Sequence, residues 1–218
     1  SGDIPSSFFN LTALNQLDLS DNKFTGLIPS FLGNFTNMVY LFLSNNDFDR
    51  APIPEFLPQM GNLRDLSLKL TNRTGTIPSF IGEMTSLLLL DLDGNELTGS
   101  LPTELGLLTY LGLLLLNRNK LTGTIPSQVS NMTNLAMMLL DNNTITGDTA
   151  PACGLKKLQV FIADCGGDNP EVDCPANCCY ECCDDDGPGC NDDPLLAQFD
   201  PVWEDAYQRR NYQFSDDI

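Results

Sequence analysis

The chain has 218 residues, with 29 acidic against 11 basic side chains, no histidine and a formal net charge of −18. So few bases argue against nucleic acid, whose phosphates demand a basic footprint. Without histidine the usual acid–base and triad chemistry lacks its proton carrier, and no stretch is long enough to span a membrane.

Residues 1–13 read as a partial repeat, because Gly2-Asp3-Ile4-Pro5 aligns with Gly26-Leu27-Ile28-Pro29. The chain therefore starts inside a repeat, without a leader or an N-terminal cap, and is expected to be a piece of a longer chain. Over residues 14–164 one phrase returns. Its copies start at Leu14, Met38, Leu63, Leu87, Leu111, Leu135 and Leu158, in steps of 24, 25, 24, 24, 24 and 23 residues. A period in the twenties with leucines at these positions is the signature of an α/β leucine-rich repeat solenoid, about six full repeats and a last strand.

Each apolar position has a part. In the first full repeat Leu14, Leu17 and Leu19 point inward, with the period of two that a half-buried strand needs. Phe24, Ile28, Leu32 and Phe35 close the turn from the other side. Asn22, Asn46, Asn95, Asn119 and Asn143 stand where the chain leaves the strand, placed to satisfy backbone groups of their own and the next repeat. One parallel strand per repeat, about 4.8 Å from the next, makes a short, modestly curved stack. Two repeats depart from the pattern. Asp49-Arg50-Ala51-Pro52 should bulge, and Thr71 in the asparagine column with Arg73 at a core position predicts a looser turn or an arginine reaching solvent.

Leu121-Thr-Gly-Thr-Ile-Pro-Ser127 and Phe24-Thr-Gly-Leu-Ile-Pro-Ser30 resemble the plant-type leucine-rich repeats of receptor-like ectodomains and secreted polygalacturonase inhibitors. The resemblance spans about residues 1–165. It implies a second small sheet along the Thr-Gly-x-Ile-Pro edge and leaves function to variable surface residues.

All eight cysteines fall within residues 153–190: Cys153, Cys165, Cys174, Cys178, Cys179, Cys182, Cys183 and Cys190. An even, clustered set reads as a disulfide-stapled cap in an oxidising compartment, here residues 165–194. Cys179-Tyr-Glu-Cys182 also has zinc-ligand spacing, but with no histidine the disulfide reading is preferred and no metal is expected. Sequons at Asn10, Asn34, Asn72, Asn131 and Asn142 fit a secreted or cell-surface glycoprotein. Net charge is −5 over residues 1–163 (14 acids, 9 bases) and −13 over residues 164–218 (15 acids, 2 bases). Asp184-Asp-Asp-Gly187 with Asp192-Asp193 reads as a solvated acidic loop rather than a calcium loop, since Pro188 falls where an EF-hand needs a ligand. Ala163-Asp-Cys165, Glu171-Val-Asp-Cys174 and Cys178-Cys-Tyr-Glu-Cys-Cys183 resemble the cap of secreted, diatom-type repeat proteins, which implies an algal surface protein. An aromatic tail, residues 195–218, carries Phe199, Trp203, Tyr207, Tyr212 and Phe214 and is expected to cover the open end of the last repeat, with docking on the concave face or a free tail as the alternatives.

Binding residues are sought on the concave face of the strands. Tyr40, Leu89, Leu113, Met137 and Val160 form one column, and Phe42, Asp91, Leu115, Leu139 and Ile162 the next. Asp93, Asp141 and Asp164 stand in a third. The aliphatic members from Leu89 onward predict a contiguous exposed patch of several hundred Å² with an acidic rim, a size that marks interaction sites. The expected function is a secreted or cell-surface recognition module that binds a protein partner there, without catalysis or cofactor. A glycan is less favoured on an aliphatic patch. The rival is a structural subunit of an extracellular assembly.

Overall fold

Leucine spacing becomes architecture directly. A computed structural model describes residues 2–166, 170–175 and 178–183. In chain order its first strands are β1 (Gln16–Asp18), β2 (Tyr40–Phe42), β3 (Asp65–Ser67), β4 (Thr74–Thr76), β5 (Leu89–Asp91), β6 (Glu96–Ser100) and β7 (Leu113–Leu115). There follow β8 (Lys120–Gly123), β9 (Met137–Leu139), β10 (Thr144–Ile145), β11 (Gly147–Asp148), the short helix α1 (Ala150–Cys153), β12 (Val160–Ala163), β13 (Val172–Asp173) and β14 (Glu181–Cys182).

The concave sheet runs β1-β2-β3-β5-β7-β9-β12-β14, with parallel pairs throughout. The middle residue of each consensus strand (Leu41, Leu66, Leu90, Leu114, Met138, Phe161) is buried and paired in register with the next, so the core is one continuous column. A second parallel sheet, β10-β8-β6-β4, forms the edge that the plant-type resemblance implied. Along the convex side run 3-10 turns, among them Ser30–Asn34, Ser79–Glu83, Thr103–Leu107 and Ser127–Asn131. Each of these four follows a proline, whose fixed φ starts the turn. They stack closely: a Cβ added at Gly106 would lie 2.4 Å from the carbonyl oxygen of Gln128 in the next turn.

The asparagine column does what its position demands. Asn95 Nδ2 donates to the carbonyls of Leu68 at 2.8 Å and Leu92 at 2.9 Å, while Oδ1 accepts from the amides of Thr71 at 3.1 Å and Arg73 at 2.9 Å. Asn46, Asn119 and Asn143 repeat this bridge between repeats.

The third repeat corrects an expectation. Arg73 neither reaches solvent nor loosens its turn; it is 1% exposed. Its Nε and Nη2 donate to the carbonyl of Thr71 at 2.9 and 2.7 Å, and Nη2 reaches the carbonyl of Asp49 at 2.6 Å. The irregular segment of the second repeat supplies acceptors that regular pairing would have used, and the guanidinium fork satisfies them. Burial pulls the Arg73 pKa down to about 10, opposed by nearby Asp49, so the group remains charged at neutral pH. At Ala51 the edge sheet shrinks to a single bridge with Arg73.

Three disulfides close the C-terminal end: Cys153–Cys178, Cys165–Cys182 and Cys174–Cys179. Cys183 is disulfide-bonded as well. Cys179 and Cys182, the pair with zinc spacing, belong to two different disulfides. The cap adds β13 beside β11 and β14 beside β12, the latter extending the concave sheet. Cys190, the acidic run from Asp184 and the aromatic tail lie outside the described residues.

Candidate recognition site

Strand register assembles the candidate columns. Tyr40, Asp65, Leu89, Leu113, Met137 and Val160 are successive partners across the sheet, as are Phe42, Ser67, Asp91, Leu115, Leu139 and Ile162. Side chains two apart on a strand share a face, so both columns look away from the main core.

Their exposure differs from the expectation. Phe42 is 2% exposed, Leu89, Leu115 and Met137 each 3%, Leu139 7% and Ile162 0%. The open apolar patch is therefore a buried one. Leu115, Met137, Leu139 and Ile162 form a second apolar cluster with Cys183 of the cap, and Leu113 and Val160 pack against it half-buried. Aliphatic side chains on strands about 4.8 Å apart cover one another's flanks, and Cys183, just after β14, joins the cluster from the cap. Tyr40 is half-buried and its ring lies 6.4 Å from that of Phe42.

The acids are not a solvated rim. Asp91 is fully buried; the Ser67 hydroxyl donates to its Oδ2 at 2.6 Å, and Ser44 and Ser67 share a hydrogen bond of 2.6 Å. Burial pushes the Asp91 pKa up to about 7, against the Ser67 hydrogen bond and with a further rise from Asp93. Asp93, 5% exposed, is bracketed by cations: Arg118 Nε donates to Oδ1 at 2.8 Å, and Lys69 Nζ lies 3.5 Å from Oδ2. Asp164 accepts from the amides of Asn142 at 2.8 Å and Asn143 at 3.0 Å, closing the asparagine ladder at its last rung.

Asp141 differs. It is fully buried, and its Oδ1 and the Oδ1 of Asn117, the neighbouring position one repeat earlier, are buried acceptors without a hydrogen-bond partner among the described residues. Burial first, then Asp164 and Asp93, raise the Asp141 pKa to about 6 against the Asn142 hydrogen bond. Ser44, Ser67, Lys69, Asn117 and Arg118 were missing from the candidate list. Their signal was available in the sequence, as polar letters in or beside the third column.

The sequons fall into two groups. Asn10, Asn34 and Asn131 are each the exposed last residue of a 3-10 turn. Asn72 and Asn142 have left-handed φ of 59° and 55°, and their amides are engaged, Asn72 with the Phe48 carbonyl at 2.9 Å and Asn142 with Asp141 at 3.3 Å.

The edge sheet offers another surface. Thr76, Thr98, Ser100, Thr122, Thr124, Thr144 and Thr146 are exposed on it, while Leu97, Leu121 and Ile145 between them are buried. Glu96 borders it, holding Arg50 and Lys120, the latter at 2.8 Å, and these cations lower its pKa.

The Leucine Rich Repeat family profile matches residues 13–35 and 86–108. This is a leucine-rich repeat solenoid. It is similar to the ectodomain of the Arabidopsis thaliana receptor kinase GASSHO1/SCHENGEN3, solved with CASPARIAN STRIP INTEGRITY FACTOR 2. The two share 32% identity at a TM-score of 0.72, over 75% of this chain and 20% of that one. It is likewise similar to the Arabidopsis receptor kinase HAESA, solved with the peptide hormone IDA and the co-receptor SERK1, at 35% identity and a TM-score of 0.69, over 74% and 27%. A plant ice-binding protein matches at 27% identity and a TM-score of 0.67, over 75% and 52%. The solenoid thus spans about a fifth to a quarter of those receptor ectodomains. No curated protein matches it. The likeness of its cap to secreted diatom-type proteins rests on the cysteine motif alone.

Proposed function

We propose that the chain is an extracellular recognition module, without catalysis, that binds a protein partner along the concave sheet. The observation that carries this reading is the pair of buried acceptors on Asn117 and Asp141. Buried polar groups find partners as a rule, and a donor from outside the chain would satisfy both. Leu113, on the strand that leads to Asn117, and Val160, on β12 beside the strand that leads to Asp141, add half-buried apolar surface to the same sheet. One receptor neighbour was solved with CASPARIAN STRIP INTEGRITY FACTOR 2 and the other with the peptide hormone IDA and a co-receptor, which supports a protein ligand here. The disulfides support an oxidising location.

The test places a photo-crosslinking residue at Leu113 and, as a control, at convex Tyr110, 65% exposed, and exposes each to secreted protein from the source. A product at position 113, absent at 110, competed by unlabelled protein and lost on Asp141→Asn, carries the reading. Equal products at both positions sink it. A fixed-stoichiometry multimer in native mass spectrometry would favour the structural-subunit alternative instead.

A second reading is ice recognition. It is favoured by the exposed threonines of the edge sheet, together with the likeness to the plant ice-binding protein. Partition of the chain into growing ice tests it.

A further inference from the structure

We propose that the outward face of the edge sheet, centred on Thr98, Ser100, Thr122 and Thr124, is the surface that would take an ice plane. This rests on the second reading above and adds the place and the geometry.

Alternation builds the face. With Leu97, Leu121 and Ile125 buried, the residues between them stand on the opposite side. The chain thereby offers Thr74-Gly-Thr76, Thr98-Gly-Ser100 and Thr122-Gly-Thr124 at β4, β6 and β8, and Thr144-Ile-Thr146 at β10. Strand pairing sets Thr76 beside Thr98, Ser100 beside Thr122, and Thr122 beside Thr144. A parallel sheet spaces such neighbours about 4.8 Å across the strands. The hydroxyls therefore form a grid of short rows across the strands, whose spacing resembles an oxygen repeat on the faces of hexagonal ice. Each threonine brings a methyl group that orders the adjoining water and a hydroxyl that anchors it.

The grid is held in place by the glycines between the hydroxyls. Gly123 and Gly147 have φ of +79° and +91°, where L side chains are strained. A Cβ on Gly123 would lie 3.2 Å from the Ser100 Cβ, and one on Gly147 3.1 Å from the Thr124 methyl. Side chains of one repeat thus rest against the bare backbone of the next, which limits their rotamers before any ligand arrives. The hydroxyls of Thr98, Ser100, Thr122 and Thr124 have no hydrogen-bond partner among the described residues and are open to water. Lys120, the strand partner of Thr98, stands within this face and, with Arg50, neutralises Glu96. The face carries no aromatic platform for a sugar and no apolar anchor for a protein hot spot.

The experiment freezes a dilute solution of the purified chain slowly onto a cold finger, with serum albumin as the reference. It compares wild type, Thr98→Lys/Thr122→Lys, and the convex control Tyr110→Lys. Melting curves check that every variant is folded. The expected result is enrichment of wild type and control in the ice, with the double variant reduced to the albumin level and no longer faceting ice crystals. Wild type partitioning like albumin would overturn both the ice reading and this site. Enrichment of the folded double variant equal to wild type would overturn the site alone. If the lysines unfold the chain, Thr98→Ser/Thr122→Ser removes two methyls with little strain; an unchanged enrichment there also overturns the proposal.

Discussion

Ser67 donates a hydrogen bond to Asp91 at 2.6 Å on the concave face, joining two neighbouring repeats through a carboxyl group whose pKa burial has pushed up to about 7. An acid whose pKa is higher in the folded than the unfolded chain binds extra protons when native, so its contribution is fully present below the unfolded value near 3.9 and is lost as pH rises through about 7. Asp141, raised to about 6, acts in the same direction. We expect stability to decline from pH 4 to 8, by on the order of 4 kcal/mol for Asp91. Urea midpoints of wild type against Asp91→Asn/Asp141→Asn across that range check it. An equal decline in both proteins would assign the effect elsewhere.

Arg73 anchors the irregular turn. Replacing it by methionine keeps the volume but strands the carbonyls of Asp49 and Thr71, at roughly 1–3 kcal/mol per buried orphan. Arg73→Met should therefore lose roughly 3 kcal/mol or more in urea denaturation. Arg73→Lys should recover only part, since an ammonium lacks the planar fork.

Glycan occupancy should follow the two groups of sequons. Asn10, Asn34 and Asn131 end exposed turns, where a glycan leaves packing untouched. At Asn72 a glycan would remove a backbone hydrogen bond, and at Asn142 a contact to Asp141. Glycopeptide mass spectrometry of the secreted protein should find the first three filled and the other two low; full occupancy at Asn72 would contradict the ordering.

The cap depends on its cross-links, because β13 and β14 have two residues each and cannot stand alone. Cys153–Cys178 closes the longest of the three loops, a separation of 25 residues. Its removal by Cys153→Ala/Cys178→Ala should cost about 3 kcal/mol. Hydrogen exchange should rise in residues 170–183 and β12 and stay unchanged in β5 and β7, since repeats couple only to their neighbours.

The repeat period made the solenoid legible because each position recurs: a leucine seen six times out of seven at the same place has one structural meaning. The same recurrence gave the lateral neighbours of Leu113 or Asp91 correctly. Exposure was not legible. Alternation tells which face a side chain occupies and nothing of how deeply it is buried there, so Leu115 and Leu139 looked open although they are 3% and 7% exposed. Arg73 misled for a related reason. At a leucine position the letter reads as an exception, and only the inward carbonyls of Asp49 and Thr71 turn it into a component. Ser67 and Asp91 were visible as adjacent polar letters, but the shifted acidity comes from burial, which no single column records.

The two sheets count differently. Partners on the concave face of the repeats are one full repeat apart, 23 to 25 residues, as in Leu89 with Leu113, whereas partners on the edge are 22 apart, as in Thr98 with Lys120. A straight line across the concave rungs meets the equivalent position of every coil. A straight line across the edge slips two residues toward the strand start at each step, and after Thr76 and Thr98 it has already run onto Lys120. Lengthening the stack would prolong the first line indefinitely but only shear the second sideways. One architecture thus has a ruler on one side and a staircase on the other.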